Sequence, residues 1–325
     1  MDSLKNNLAL FLAAIMLYSP LNIAYSQDKQ KVAASFEANF LMGREKSAKL
    51  IRDFLMSKSD TKEMNRKIED SYLNQYIDNC TIVKNNPDKR MIYVILQEHA
   101  QNSDKIDKNI EKKLVEDALP CQVSIYRILE GLKDGKFPGQ KSRLELIALE
   151  GMSHKEIDDM TRGEEIADQI SRGTPKIEDN ANLEAYLKKG YANAGALIGA
   201  RYKDLFVMGF EKGIKASNGA IKGFEIYQNR RQGNLLNLKG ATQEERRAIA
   251  EYMSYKIFTL SERSEDSIKY AIQHADTLYS KGMIKNKDAA IVIGAGHELD
   301  FLKKAEENTP YNLMIISPKG VFRIK

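Results

Sequence analysis

Cysteine, histidine and clustered charge are all scarce in this 325-residue chain, and each scarcity narrows the possible readings. Fifty basic residues are offset by forty-five acidic ones, the two signs are interleaved, and the net charge is only +5. No run gathers the basic residues into the patch that a nucleic-acid binder needs, so nucleic acid is not expected as a partner. Cys80 and Cys121 are the only cysteines. In an oxidising compartment they could pair; otherwise they are two separate buried thiols. The chain has no internal repeat at a fixed period and no low-complexity tract. Hydrophobic residues make up 42% and charged residues 29%, the balance of a soluble globular protein.

Long apolar runs are also missing, apart from one at the N-terminus. Lys5 supplies a positive charge, and residues 8 to 18 (LALFLAAIMLY) follow as an apolar run. That run is shorter than the roughly 20 residues needed to span a bilayer. Pro20 then breaks any helix, and Ala24-Tyr25-Ser26 puts small residues at the two positions a signal peptidase reads. Residues 1–26 are therefore expected to be a secretion signal, with Gln27 the mature N-terminus and the protein periplasmic or extracellular. The alternative is an uncleaved anchor with the domain outside. No cysteine lies near the cleavage site, so a lipid anchor is not expected. No later segment is apolar enough to cross a membrane.

The rest of the chain reads as α/β. Residues 27–88 are expected to be a helical segment, with Phe36, Phe40, Leu50, Ile51, Phe54 and Leu55 at helical spacing, up to a turn at Asn85-Asn86-Pro87. Residues 91–96 (MIYVIL) form a short β-branched run, read as a buried strand. Helix is expected over 106–119, interrupted at Pro120, then over 121–134, where Val123, Ile125, Tyr126, Ile128, Leu129 and Leu132 share a face. Residues 144–149 (LELIAL) are the second strand, and strand–helix–strand at this spacing suggests a parallel crossover. Further strands are expected over 205–208, 289–293, 313–317 and 321–324. Helices are expected over 216–230 and 242–281, the latter opening on a capping box of Thr242 and Glu245. The fold class is thus a mostly parallel central sheet flanked by helices, spanning 89–325 after the N-terminal helical segment.

Ligands of open α/β sheets gather at the carboxyl ends of parallel strands. Four such ends carry polar residues here: Gln97, Glu98 and His99 after the first strand, Glu150 after the second, Glu211 after the third, and His297 after the fourth. Two of only four histidines fall at strand ends. That convergence is the physical ground for expecting one pocket. Each residue also has a plain reading: His297 as a helix cap, Arg263 as a partner of Glu262 or Glu265 on a helix surface, Glu98 and His99 as an exposed loop. His154 and His274 are expected on solvated helix faces.

An ordered set of motifs supports the pocket. Ser261-Glu262-Arg263-Ser264-Glu265, a long helix, and AAIVIGAGHELDFL resemble the C-terminal signature of the TraB, ChaN and erythromycin esterase-like superfamily. VILQEHAQ resembles the G-E-x-H loop that opens that fold, and LIALEG its second strand with a terminal glutamate. The family's first-loop glycine is Gln97 here, and Ala100 stands at its histidine position, with His99 one place earlier. The resemblance implies that Glu98, Glu150, Arg263 and His297 surround one catalytic pocket. His297 and Glu98 would be the ligands of any divalent metal, and His99 and Glu211 would be cofactor-binding. It implies hydrolysis of an ester or peptide bond in a small-molecule or peptide substrate. Binding of haem or another small ligand, with His99 or His297 axial, and an inactive interaction protein on the same fold are the alternative expectations.

Overall fold

The computed structural model describes residues 43–98, 108–153, 177, 179–189, 193–202, 204–211, 218–232, 235–236, 238 and 240–321. The expected signal segment, His99, His154 and residues 322–324 of the last expected strand lie outside them.

Six strands form one sheet in the order β1-β8-β2-β7-β3-β4. They are β1 (Ile77–Lys84), β2 (Arg90–Gln97), β3 (Leu146–Ser153), β4 (Phe206–Glu211), β7 (Ala289–Gly294) and β8 (Tyr311–Pro318). The β5 (Arg231–Gln232) and β6 (Leu235–Leu236) pieces make a separate antiparallel pair. All neighbours in the main sheet run parallel except β1, which pairs antiparallel with β8. The expected mostly parallel sheet flanked by helices is what the chain forms.

Period-two alternation sorts each strand's side chains between two cores. Tyr93, Ile95, Ile147, Leu149, Ala290 and Val292 pack against α3 (Lys108–Asp134), α4 (Asn180–Lys189) and α5 (Ala194–Arg201). Ile92, Val94, Leu96, Leu146, Ala148, Ile291 and Ile293 pack on the other face, against α1 (residues 43–56), α7 (Gln243–Ser280) and α8 (Glu298–Lys303). Strands buried on both faces explain the near-continuous apolar runs in the sequence.

α7 has 38 residues, about 57 Å at 1.5 Å per residue. Its start carries the expected capping box, with the Thr242 hydroxyl accepting from the Glu245 amide and the Glu245 carboxylate accepting from the Thr242 amide. Its second half buries Ile268, Ala271, Ala275 and Leu278 on the sheet. Its first half packs with α6 (Asn218–Arg230) around Tyr227, Ile249 and Met253. Ser261, Arg263 and Ser264 fall between these halves. Among the described residues no helix is long and apolar enough to cross a membrane.

Three expectations need correction. Residues 77–84, read as part of a helical segment, are strand β1. The polar Asp78, Asn79 and Thr81 hide its alternation, and its partner β8 lies well over 200 positions away. α2 (Ser59–Glu69) covers this edge: the Asn65 amide donates to the Cys80 carbonyl and accepts from the Cys80 amide, both at 2.8 Å. Such pairing blunts an otherwise open strand edge. Pro120, expected to interrupt a helix, sits inside the continuous α3. Burial of Cys121, Ile125, Tyr126, Ile128, Leu129 and Leu132 in one stripe outweighs the lost hydrogen bond. The strand expected over 144–149 starts at Leu146 and continues through Ser153.

Of the two open readings for the cysteines, the structure has separate thiols. Cys80 and Cys121 are both free and buried. Burial pushes the Cys121 thiol up to about 12, with the Glu98 amide hydrogen bond pulling the other way.

Candidate functional site

Glu150 lies where β3 changes register. β3 advances from Leu149 to Ser153 while its partner β4 advances only from Gly209 to Glu211, and Gly151 takes up the extra length at φ +84°. Bulges of this kind re-aim a side chain at a strand end. Glu150 lies at an even position, on the sheet face that packs against α7 and α8. There its carboxylate is buried, 7% exposed, and needs partners.

It has them on both oxygens. Oε1 accepts from Arg263 Nη2 at 2.7 Å and lies 3.5 Å from His297 Nε2. Oε2 accepts from the Gly294 amide at 2.5 Å and from the Gln97 side-chain amide at 3.4 Å. A carboxylate offers about four lone-pair sites, and at least three of them take N–H donors here. A Cβ at 294 would stand 3.2 Å from Glu150 Oε2 and press on the carboxylate that the Gly294 amide holds. The G-x-x-H turn thus supplies an amide to hold Glu150 and, three residues on, the imidazole beside it.

His297 opens α8 and its side chain is 3% exposed. Its Nδ1 lies 2.8 Å from Ser264 Oγ. Ser264 Oγ is also 3.0 Å from Asp300 Oδ2 and 2.9 Å from the Leu260 carbonyl. Asp300 in turn accepts from Ser261 at 3.2 Å and from Arg44 of α1 at 2.8 Å. One connected polar chain therefore runs Arg44–Asp300–Ser264–His297–Glu150–Arg263. Arg263 is its most open member, at 27% side-chain exposure.

Of the residues singled out from the sequence, Glu150, Arg263 and His297 meet directly. Glu98 is half-buried at the end of β2. Its amide donates to Cys121 Sγ at 3.2 Å, and its carbonyl accepts from Gln122 Nε2 at 2.7 Å. Glu211 ends the edge strand β4, paired in register with Ser153. His99 lies outside the described residues. His274, expected on a solvated helix face, is instead buried, with its ring stacked on Tyr270 at 6.1 Å, because the second half of α7 lies on the sheet.

Sequence reasoning gave no role to Ser264, Asp300 or Arg44, and named Gln97 only as a polar strand-end residue and a departure from a motif. A signal for one of them was present: Asp300 follows His297 by three positions, a spacing that puts the pair on one helix face. Ser264, next to Arg263 in a quoted motif, is turned to a different side of its helix. Arg44 carried none, because it reaches Asp300 across 256 positions.

The described donors do not suit a divalent cation. Both Glu150 oxygens already accept from N–H groups, one of them a guanidinium, and His297 Nδ1 is engaged by Ser264. Among the described residues no group of three or more His, Cys, Asp or Glu side chains is arranged to hold a metal ion. Both nitrogens of the His297 ring already face polar side chains, Ser264 at Nδ1 and Glu150 at Nε2. Ser264 is within reach of a histidine but is 2% exposed in mid-helix, which does not suit a nucleophile that must meet substrate. No protein-family model matches the chain, and neither a curated protein nor a solved structure does.

Proposed function

We propose that this chain is an exported hydrolase acting on an ester or peptide bond at the carboxyl rim of β3 and β7. One observation carries the reading: Arg263 and His297 converge on the same oxygen of a buried glutamate. In this reading His297 moves the proton at Nε2 and Glu150 orients it. The partly open Arg263 stabilises the oxyanion that forms when water attacks the carbonyl. Glu98, at the neighbouring strand end, is the further acid–base group. The resemblance to the TraB, ChaN and erythromycin esterase-like superfamily supports the bond type, and residues 1–26 support export. The described donors give no place to a metal.

The test is turnover of a panel of chromogenic esters and short peptides by the protein from Gln27 onward. His297→Gln and Arg263→Met are run beside it, with circular dichroism to confirm folding. Hydrolysis that falls at least about a hundredfold in the folded His297 variant supports the reading, since positioned acid–base groups contribute about 10²–10⁴. Equal rates in wild type and both variants, or no turnover of any panel member, would reject it.

A further inference from the structure

We infer that Asp300, held by Arg44, acts through Ser264 to keep a proton on Nδ1 of His297. Asp300 is thus a positioning residue that leaves Nε2 as the working nitrogen. The functional meaning rests on the hydrolase reading above; the proton placement does not.

The protons around one hydroxyl decide this placement. Ser264 Oγ carries a single hydrogen, and three groups able to accept it surround it: the Leu260 carbonyl at 2.9 Å, Asp300 Oδ2 at 3.0 Å and His297 Nδ1 at 2.8 Å. Hydrogen bonds to a charged acceptor are about twice as strong as neutral ones, so the carboxylate takes precedence. Ser264 then has no proton to give the ring. The close Nδ1 contact is favourable only if Nδ1 is the donor and Oγ the acceptor. Which nitrogen of a histidine carries the proton is set by the bond the other ring atom makes.

Asp300 is built to hold this role. It is buried, 8% exposed, and receives Ser261 on one oxygen and Arg44 and Ser264 on the other. Arg44 also donates to the Gly296 carbonyl at 3.3 Å, tying α1 to the turn that carries His297. Arg52 on the same helix grips Glu298, the residue after His297. Helix α1 therefore fixes both ends of the imidazole's support. At the other end of the ring, Nε2 faces Glu150 Oε1, 3.5 Å away.

The experiment is long-range 1H–15N correlation of the imidazoles in full-length folded protein. It is run well above the ordinary imidazole titration range, with His297 assigned by its loss in His297→Gln. A protonated, pyrrole-type Nδ1 on His297 in wild type is expected. In Asp300→Asn, and in Ser264→Ala, which leaves the Arg44–Asp300 pair in place, that preference should be lost. An unprotonated Nδ1 in wild type overturns the inference, as does a protonated Nδ1 unchanged in both folded variants. Turnover is read separately. With an active substrate in hand, Asp300→Asn should lower kcat at least about tenfold, with KM little changed, because a catalytic histidine held in the wrong tautomer works poorly. Absent turnover in wild type would reject the hydrolase reading and leave the nitrogen signals to decide the proton placement alone.

Discussion

Arg52 and Glu298 form a buried ion pair across 246 positions, Nη1 to Oε2 at 2.5 Å, with side chains 9% and 4% exposed. Burial draws the Arg52 pKa downward, but the Glu298 charge and hydrogen bond more than offset it and leave it raised. Removing one partner strands the other charge in the interior. Arg52→Met is therefore expected to cost roughly 3–5 kcal/mol. The double replacement Arg52→Met with Glu298→Leu should recover most of that, because both charges then leave together. Urea unfolding of the four proteins of the cycle measures the coupling; a double variant as unstable as the sum of the singles would contradict the pairing.

Glu150 should be sensitive in a different way. Glu150→Gln keeps the size but turns one acceptor into a donor that faces Arg263 or the Gly294 amide. A loss of about 1.5–3 kcal/mol is expected, the range for hydrogen bonds to charged groups. A denaturation midpoint equal to wild type would mean that the carboxylate is not held as described.

The packing of α6 on α7 can be tested through two glycines four residues apart. A Cβ at Gly223 would fall on the Ala248 carbonyl, which is backbone and cannot move aside. A Cβ at Gly219 would meet only the end of the Glu251 side chain. Gly223→Ala is expected to lose about 1–3 kcal/mol as overpacking, and Gly219→Ala clearly less. Thermal melts that rank the two the other way would refute this helix contact.

A pH effect is expected at Asp276. Burial alone would raise its carboxyl, but hydrogen bonds from Arg90 and Lys287, each 2.8 Å at Oδ1, more than offset this and hold it below the usual value. A carboxylate with a depressed folded value stabilises the fold above its unfolded value of about 3.9 and loses that contribution as pH falls through the folded value. The side chain is 42% exposed, so solvent screens the pair. Asp276→Asn should cost at most about 1 kcal/mol at neutral pH. The difference from wild type should close on acidification below the carboxyl range, and a gap that widened there would reverse the assignment.

Half of the candidate site is legible in the sequence. Glu150 and His297 each end an apolar run, and Arg263 sits in a motif, so strand-end logic gathers them. Arg44 and Ser264, which complete the site, sit on α1 and α7, whose surface patterns advertise nothing but ordinary helix. Glu211 shows the converse: it ends a strand as expected, but that strand is the sheet edge, next to β3 and two places from β7.

What the amino-acid order alone determined are the features with short-range causes. Apolar runs at 91–96 and 289–293 become central strands because both of their faces must be buried. Thr242 and Glu245 start α7 because their side chains satisfy its first amides locally. Tertiary structure decided the rest, where the favourable partner lies far along the chain. β1 is a strand because β8 offers it a ladder. Pro120 stays helical because the sheet buries the stripe around it. Asp300 and Arg44 join the site because a charge removed from water must find its complement wherever the fold brings one within reach.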